Sequence, residues 1–409
     1  MTQSGNLAID TEPLPYEYYE NPYPFHDQLR SEDPVHWSDS WNCWIVTRYT
    51  DAASVLKDWK RFSSVGRSSR FLSQLPESLR KEMQPFEENF TTGLISSDPP
   101  DHTRLRRLVS KAFRPTQVDD LRPHVQSIVD DLLDAIQEKG EMDVIKDYAY
   151  WLPSTVIAKM LGVPLEMRGQ FNQWVDVINA FLGSRRPDPD EGREAQAKLM
   201  ELLDYFRQLL SDRRQHPQDD LVSRLAEAEE GGNRFSEPEI LATCQTLLTA
   251  GYETTIGLIG SGLLCLVRNP DQFEKLKADP SLIKSAIEEF VRYESPIQRM
   301  LRVATEDLDL DGKQIRRGQL VAAMIGAANR DPAQFSDPDR LDLARRENNH
   351  IAFGSGIHHC LGAPLARLEG EIAINAVLSR CPDLQLTDEA PVWRKNIMIR
   401  NLKSLPVVF

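Results

Sequence analysis

The stretch FGSGIHHCLGAPLARLE, residues Phe353 to Glu369, decides how the rest of this chain is interpreted. It places one cysteine, Cys360, between a glycine-broken loop and a strongly helical run. A thiolate is a good soft metal ligand, and the N-terminus of a helix favours the ionised sulfur. Gly354, Gly356 and Gly362 allow the backbone to turn sharply and to come close to a flat, bulky group. The stretch therefore predicts a loop that presents a sulfur to a metal.

Two other interpretations of Cys360 stay open at this point. A lone cysteine is most often a small buried hydrophobic residue. Zinc is a further alternative because His358, His359 and Cys360 are all metal-binding residue types. Three adjacent side chains point in different directions, however, and no second Cys or His pair at chelating spacing follows, which disfavours zinc.

The run from Phe353 to Gly362 resembles the haem-binding loop of the cytochrome P-450 family. The family pattern is Phe-x-x-Gly-x-x-x-Cys-x-Gly, and every fixed position is matched here. The resemblance implies haem b (iron protoporphyrin IX) with Cys360 as its thiolate ligand and with Phe353 and Gly354 beside it. It also implies a mainly α fold with a smaller β region, forming a single cytochrome P-450 domain over residues 1–409.

Composition and charge are typical of a soluble globular protein, with 41 % apolar and 27 % charged residues. The net charge of −14 argues against a nucleic-acid partner, because backbone binding needs a basic surface. We expect no secretory signal and no membrane span, since the longest apolar stretch, Ile256 to Val267, is too short. The scattered cysteines indicate a reducing compartment, so we expect a cytoplasmic protein; they are Cys43, Cys244, Cys265, Cys360 and Cys381.

A basic helix is predicted from about Asp101 to Pro115. His102 and Arg106 are four residues apart and share one face of it. Taken alone, this is a solvated basic helix. The resemblance implies instead that His102 and Arg106 bind the haem propionates, and that other basic residues dock an acidic electron carrier; these are Arg104, Arg107, Lys111 and Arg114.

A long helix is predicted from Ser236 to Arg268, opened by a Ser236–Glu239 capping box. It contains the run Ala250 to Thr255, AGYETT, which by itself is a tolerated glycine and a back-bonded threonine. The run matches the family's Ala/Gly-Gly-x-Asp/Glu-Thr oxygen-activation motif. The resemblance implies that Ala250 and Gly251 lie beside the haem, and that the Glu253 acid and the Thr254 hydroxyl deliver protons.

Further along the chain, Glu289 and Arg292 are three apart on a helix that must end before Pro296. Alone they are an ordinary surface ion pair. They also match the family's structural Glu-x-x-Arg motif, and Arg340 fits the position of its second arginine. Arg302 and His358 fall where similar proteins bind the haem propionates.

Three other segments give structural expectations. Residues 62–94 form either an irregular binding loop or a set of short helices. The charged link at residues 183–194 is expected to be a mobile surface loop. Cys43 to Val46 has strand composition, and Asp311-Gly312 predicts a tight turn between two short strands.

The resemblance implies a monomeric monooxygenase that inserts one oxygen atom of O2 into a C–H or C=C bond of a hydrophobic small molecule. The chain shows no Rossmann fingerprint and no iron–sulfur cysteine spacing, so electrons must come from separate proteins. The resemblance implies that these are a ferredoxin and its reductase. A peroxide-driven haem peroxygenase and a non-enzymatic haem-thiolate sensor remain alternatives. Macrolides, steroids, terpenoids and fatty acids are all candidate substrates. By analogy the pocket walls include Phe71, Phe90, Ile95, Trp174, Phe181, Leu247, Ala250, Ile297, Met300 and Ile397.

Overall fold

The computed structural model describes residues 8–112 and 115–409. The chain forms two compact units. Unit 1 comprises the chain up to Phe62, Pro123–Trp151 and Glu253–Phe409, and unit 2 comprises Ser63–Arg122 and Leu152–Tyr252.

Helices make up most of the described chain, as the sequence predicts. They are α1 (Tyr16–Glu20), α2 (Tyr23–Glu32), α3 (Tyr49–Lys57), α4 (Arg67–Leu72), α5 (Glu77–Glu82), α6 (Gln84–Thr92), α7 (Asp101–Ala112), α8 (Pro115–Asp120), α9 (Arg122–Gln137), α10 (Trp151–Leu161), α11 (Arg168–Leu182), α12 (Pro189–Gln215), α13 (Leu221–Glu227), α14 (Glu237–Arg268), α15 (Pro270–Ala278), α16 (Ile283–Tyr293), α17 (Ile325–Ala328) and α18 (Ala363–Arg380). Short 3-10 turns and a π-helical segment, Val144–Ala149, connect some of them.

The strands are β1 (Val35–Ser38), β2 (Cys43–Val46), β3 (Phe62–Ser63), β4 (Glu141–Asp143), β5 (Glu229–Glu230), β6 (Asn233–Arg234), β7 (Arg299–Ala304), β8 (Leu308–Leu310), β9 (Lys313–Ile315), β10 (Leu320–Met324), β11 (Gln385–Leu386), β12 (Val392–Trp393), β13 (Leu402–Ser404) and β14 (Pro406–Val408). The largest sheet, the main sheet, has the order β1-β2-β10-β7-β3. β10 runs parallel to β2 and antiparallel to β7. The remaining strands form the small sheets β11-β14-β4, β12-β13, β5-β6 and β8-β9.

The main sheet carries a hydrophobic cluster on each face, because successive side chains of a strand point to opposite sides. β10 is buried along its whole length, so both of its faces are apolar. Val321 and Ala323 belong to the front cluster, which also contains Leu56 of α3 and Ile351. Leu320, Ala322 and Met324 belong to the back cluster, which also contains Tyr18, Trp41 and Ile397.

Several local predictions are confirmed. The basic helix is α7, the predicted strand at Cys43–Val46 is β2, and the long helix is α14, where the Ser236 N–H donates to the Glu239 carboxylate at 2.7 Å. Asp311 and Gly312 both adopt positive φ, 54° and 76°, and connect β8 to β9 as a tight hairpin. Of the two alternatives for residues 62–94, the short helices α4, α5 and α6 are present.

The expected loop at residues 183–194 is shorter than predicted. α11 ends at Leu182 and α12 already begins at Pro189. The Asp188 carboxylate accepts hydrogen bonds from the N–H groups of Asp190 and Glu191 and so caps α12. Proline at the first helical position and an aspartate cap are strong helix-start signals, which explains why helix replaces loop here.

Among the described residues, one helix, α14, is long and apolar enough to cross a membrane by length and composition alone. Its most apolar window is, however, 78 % buried inside the protein. A helix that is apolar all round and surrounded by protein is a core helix.

Candidate functional site

Cys360 differs from the other four cysteines in its exposure. Its side chain is exposed, whereas Cys43, Cys244, Cys265 and Cys381 are buried. The Cys360 N–H donates to the Phe353 carbonyl at 2.8 Å, which closes the loop between them. The structure therefore presents this thiol at the surface of a closed loop. A cysteine that served only as a small hydrophobic residue would instead be packed in the core.

Two glycines shape the loop. Gly354 and Gly356 have φ values of 73° and 70°, a region that L side chains rarely adopt. A Cβ on Gly356 would lie only 3.0 Å from the Cα of Lys57 and 3.1 Å from the Leu56 carbonyl oxygen. Because these are backbone atoms of α3, no side chain fits, and the loop lies directly against the end of that helix.

The Cys360 loop is also held from the side of α18. The Arg367 guanidinium lies over the Phe353 ring, 4.3 Å from its centroid, and its Nε donates to Glu288 of α16 at 2.5 Å. His350 Nε2 lies 3.1 Å from the same carboxylate. Burial alone would raise the pKa of Glu288, but hydrogen bonds from His350 and Arg367 outweigh it and lower the pKa to about 2. This contact network is not predictable from the sequence, since no motif pairs Glu288 with Arg367.

Strand β7 directs a cation to the front face of the main sheet. Met300 and Ala304 pack with the front cluster, and Leu301 and Val303 with the back cluster. By the same alternation Arg302 lies on the front face, where it is only 2 % exposed. Its Nη1 donates to the Leu301 carbonyl at 2.9 Å. A buried guanidinium on this face is a suitable partner for an anionic group.

Among the expected pocket residues of unit 1, Ile297 and Met300 are half-buried and pack against the front cluster. Ile397 instead belongs to the back cluster and is 2 % exposed, so the structure does not bring it together with the other two. Met398 is half-buried between Ile397 and the buried Ile399, and its carbonyl accepts a hydrogen bond from the Gln298 N–H at 2.8 Å.

The central helix α14 has one open face. Leu247, Ala250, Gly251 and Thr254 follow the three-and-four spacing of a single helix face. Thr255 is buried and hydrogen-bonds Glu369, so only Thr254 of the two threonines is accessible. Between Ile240 and Leu266, the positions that are not buried are Thr246, Leu247, Ala250, Gly251 and Thr254.

Glu253 lies beside that face but is almost completely buried, with a side chain 4 % exposed. Arg394 Nη1 lies 3.3 Å from Glu253 Oε1. The Asn401 side-chain amide donates to the Glu253 backbone carbonyl at 3.0 Å. Both partners come from the C-terminal segment, and no motif in the sequence indicates either of them.

Unit 2 contains an aromatic group that includes three of the expected pocket walls. Phe71 and Phe181 meet with ring centroids 5.5 Å apart. Phe86, which sequence analysis missed, lies 5.6 Å from Phe181 and 4.6 Å from Phe90 and so joins them. Trp174 lies elsewhere, 5.0 Å from Phe171, with its indole N–H donating to Glu201.

Ile95 is half-buried in a 3-10 turn, Leu94–Ser96, close to the open face of α14. A Cβ on the nearby Gly93 would lie 3.6 Å from the Thr246 hydroxyl oxygen. The turn thus approaches the accessible positions of α14, which include Leu247.

On α7, His102 is buried and Arg106 half-buried. Burial lowers the pKa of His102, and the charge of Arg106 lowers it further. The other basic residues are not all available to a partner. Arg104 forms an ion pair with Glu239, and Lys111 donates to the Glu229 carbonyl. Arg107 is exposed, and Arg114 lies outside the described residues.

The Glu289–Arg292 pair is present, but its second arginine is not Arg340. Glu289 and Arg292 are fully buried and share two hydrogen bonds of 2.8 Å. Arg345 Nε contacts both Glu289 oxygens at 3.1 and 3.2 Å. Arg340 is exposed and contributes only its backbone carbonyl. The prediction for Arg340 is therefore wrong, because the irregular segment around it turns a side chain five residues further along toward the pair.

Metal and cofactor chemistry can be judged from these residues. Across residues 8–112 and 115–409, no three or more His, Cys, Asp or Glu side chains come together as a metal-binding group. Haem b fits what is present. Within unit 1, the Cys360 thiol is exposed on a loop where Gly356 leaves no room for a side chain, and the buried Arg302 guanidinium is suited to a carboxylate.

Comparisons with known proteins agree with this interpretation. The sequence model of the family described as Cytochrome P450 matches residues 42–400. Cytochrome P450 CYP107DY1 of Priestia megaterium is 42 % identical over 372 residues, which cover 90 % of this chain and 89 % of that protein. The polyketide biosynthesis cytochrome P450 PksS of Bacillus subtilis is 40 % identical over 404 residues, covering 96 % of each. The crystal structure of P450BioI in complex with an acyl carrier protein ligated to hexadec-9Z-enoic acid matches with a TM-score of 0.89 at 39 % identity, covering 96 % of this chain and 99 % of that one.

Proposed function

This chain belongs to the cytochrome P450 family of haem-iron oxidoreductases, and we propose that it inserts one oxygen atom of O2 into a hydrophobic small molecule. The observation that carries the proposal is the exposure of Cys360 on its closed loop while the other four cysteines are buried. When bound, haem b supplies the iron at which O2 is reduced and oxygen is transferred. Haem binding and proton delivery are proposed to depend on side chains of this chain.

Cys360 is the proposed thiolate ligand, with Phe353, Gly354 and the Arg367 guanidinium fixing its loop. In unit 1, Arg302 and His358 are assigned to a haem propionate. His102 and Arg106 of unit 2 receive the same role by family resemblance. Both residues lie on one face of α7. Burial, and after it the charge of Arg106, lowers the pKa of His102, so a neutral His102 would donate a hydrogen bond while the Arg106 guanidinium supplies the positive charge. Cations placed beside carboxylates form strong charge-assisted hydrogen bonds.

Glu253 and Thr254 are proposed to move protons toward the reacting oxygen. The Thr254 hydroxyl lies on the open face of α14 and can donate from there. The buried Glu253 carboxylate, one residue before it, can take up a proton and pass it on. This pair favours the monooxygenase over a peroxide-driven peroxygenase or a haem-thiolate sensor, neither of which needs protons delivered to O2.

The proposed substrate is a sizeable hydrophobic molecule of the macrolide, steroid, terpenoid or fatty-acid type. The aromatic group of unit 2 and the accessible apolar side chains of α14, Leu247 and Ala250, support it. The similarity to a P450 solved with an acyl carrier protein adds a carrier-bound acyl chain to the candidates. Electrons are proposed to come from a ferredoxin and its reductase. The enzyme itself is proposed to be a monomer in the cytoplasm.

The first test removes the proposed ligand. We expect Cys360→Ser to lose the thiolate-type spectrum of the reduced, CO-treated protein together with oxygenation activity, because an alcohol is a poor replacement for a thiolate. Cys381→Ala, at the far end of α18 and buried, is the matched control and should keep both. A thiolate-type spectrum that survives in the serine variant contradicts the assignment.

The substrate class is tested by titrating the ferric protein with one member of each of the four classes, free and linked to an acyl carrier protein. A shift from low to high spin identifies the class for turnover assays with ferredoxin and reductase. Turnover with hydrogen peroxide that exceeds turnover with reductant would instead favour the peroxygenase.

A further inference from the structure

The C-terminal segment between β12 and β13 holds the Glu253 residue at two points. Arg394 contacts its carboxylate at 3.3 Å, and Asn401 hydrogen-bonds its backbone carbonyl at 3.0 Å. The two holding residues are themselves joined, since the Arg394 N–H donates to the Asn401 carbonyl at 2.9 Å. We propose that Arg394 is a positioning residue that fixes the Glu253 carboxylate for proton delivery to Thr254. The proposal rests on the Glu253–Thr254 relay proposed above.

The placement of Arg394 follows from strand register. Trp393 of β12 pairs with Leu402 of β13, so the next residues inward, Arg394 and Asn401, face each other at the mouth of the turn. Gly257 then lets Asn401 approach α14, because a Cβ at that position would lie 2.4 Å from the Asn401 Oδ1 atom. Arg394 and Asn401, together called the clamp, are thus placed by the pairing of β12 with β13 and by the close approach of Asn401 to Gly257. Neither feature depends on the Arg394–Glu253 ion pair.

Charge and burial explain what Arg394 does for Glu253. A carboxylate that is 4 % exposed is costly to keep ionised without a cationic partner. Arg394 supplies that charge while its own side chain stays 29 % exposed, so the guanidinium keeps part of its hydration. Asn401 fixes the main chain of Glu253 and Arg394 fixes its side chain. Together they hold both the main chain and the side chain of Glu253.

Without Arg394 the Glu253 carboxylate loses this cationic partner and the contact that orients its side chain. We expect Arg394→Met to lower product formed per NADH consumed by about tenfold, a part of the typical contribution of a general acid. Substrate affinity from the spin-shift titration should stay within about twofold of the parent value, because the proposed role of Arg394 is in proton delivery and not in substrate binding. Arg394→Lys should recover most of the coupling because it restores the charge. Lys395→Met removes the adjacent exposed cation and should change nothing.

A second readout needs no turnover. Infrared difference spectra of the resting ferric protein, with Glu253→Gln as the reference, identify the Glu253 carboxylate band. We expect that band to shift, or to be replaced by that of a protonated carboxyl, in Arg394→Met and to stay in place in Lys395→Met. Arg394→Gln takes the place of the methionine variant if that variant does not fold.

The outcomes separate the two proposals. An unchanged Glu253 band and unchanged coupling in Arg394→Met, with Glu253→Gln uncoupled, overturn the role of Arg394 and leave the relay standing. If Glu253→Gln forms as much product per NADH as the parent, the relay itself is overturned. The proposed role of Arg394 in proton delivery then falls with it, whatever the infrared band shows. A shifted band with lost coupling, rescued by lysine, supports the inference.

Discussion

At the scale of single residues, the Glu289 carboxylate shows how unit 1 neutralises a buried charge. It is fully buried yet meets two guanidinium groups, those of Arg292 and Arg345. The Asp342 N–H donates to one of its oxygens at 2.9 Å, and the Asn348 amide approaches the other at 3.3 Å. A buried carboxylate whose lone pairs are all used is stable only while every partner remains.

The first prediction distinguishes Arg345 from Arg340. We expect Arg345→Met to lower the free energy of unfolding by about 3 kcal/mol, since it removes one partner of a buried ion pair. Arg340→Met, an exposed position whose side chain does not reach Glu289, should stay within about 0.5 kcal/mol of the parent. Urea unfolding of the two variants side by side checks this. Equal losses in both would contradict the correction made to the sequence prediction.

At the scale of elements, α14 contains glycines with opposite surroundings. A Cβ on Gly251 would find only the Ile157 Cδ1 atom, at 4.0 Å, whereas one on Gly257 would meet Asn401, Arg400 and Pro296 at 3.1 Å or less. The first glycine keeps the open face flat. The second allows the C-terminal segment to reach the helix.

These surroundings predict opposite effects of the same substitution. Gly257→Ala should destabilise the protein by about 2 kcal/mol, because overpacking outweighs the gain in helix propensity. Gly251→Ala should keep or raise stability by up to about 1 kcal/mol. Its methyl group, however, projects from the open face and should weaken the spin-shift response to substrate. Urea unfolding and the spectral titration test both, and a stable Gly257→Ala variant would argue against close approach of Asn401.

A second contact at this scale connects α16, α18 and the Cys360 loop through Glu288 and Arg367. The pKa of Glu288, about 2, lies below its ordinary value of 4.5. The folded protein therefore binds fewer protons than the unfolded chain between these values. The stabilisation from Glu288 is fully present above about pH 4.5 and is lost as the pH falls toward 2.

Glu288→Gln tests this linkage. We expect the variant to be less stable than the parent at neutral pH, and the difference to shrink as the pH falls below about 4.5. Denaturant unfolding at a series of pH values measures it. Glu166→Gln, an exposed carboxylate of unit 2, is the control and should show no such trend. A difference that stays constant down to acidic pH would mean that Glu288 contributes by packing and not by charge.

At the scale of the whole molecule, the fold and the family were predictable from the sequence to a large extent. The Cys360 loop, α14 with its acid–threonine pair, the Glu289–Arg292 pair and the basic α7 each lie in a short segment whose spacing is visible in the sequence. The family match over residues 42–400 confirms the resemblance and the predicted fold. Roles of individual site residues stay predictions, to be tested by the variants above.

The net charge of the chain is −14, yet α7 is rich in basic residues, so the sequence predicts that this helix offers positive charge to a partner. The structure narrows that expectation, since Arg104 and Lys111 already have acceptors within unit 2. Charge counted along a helix therefore overstates the charge available to a partner. Arg107 remains exposed on this helix and is the residue there to consider for docking an electron carrier.

From the sequence by itself the family, the main helices and the positions of the motifs could be predicted, because helix periodicity, capping residues and glycine-broken loops act over a few neighbouring residues. Only the tertiary structure decided the partners: Arg345 in place of Arg340 at Glu289, and Arg394 at Glu253 across 141 positions of the chain. Such pairs form where separate segments are packed together. A sequence pattern predicts which face a residue occupies, but the residue opposite that face is fixed by the fold.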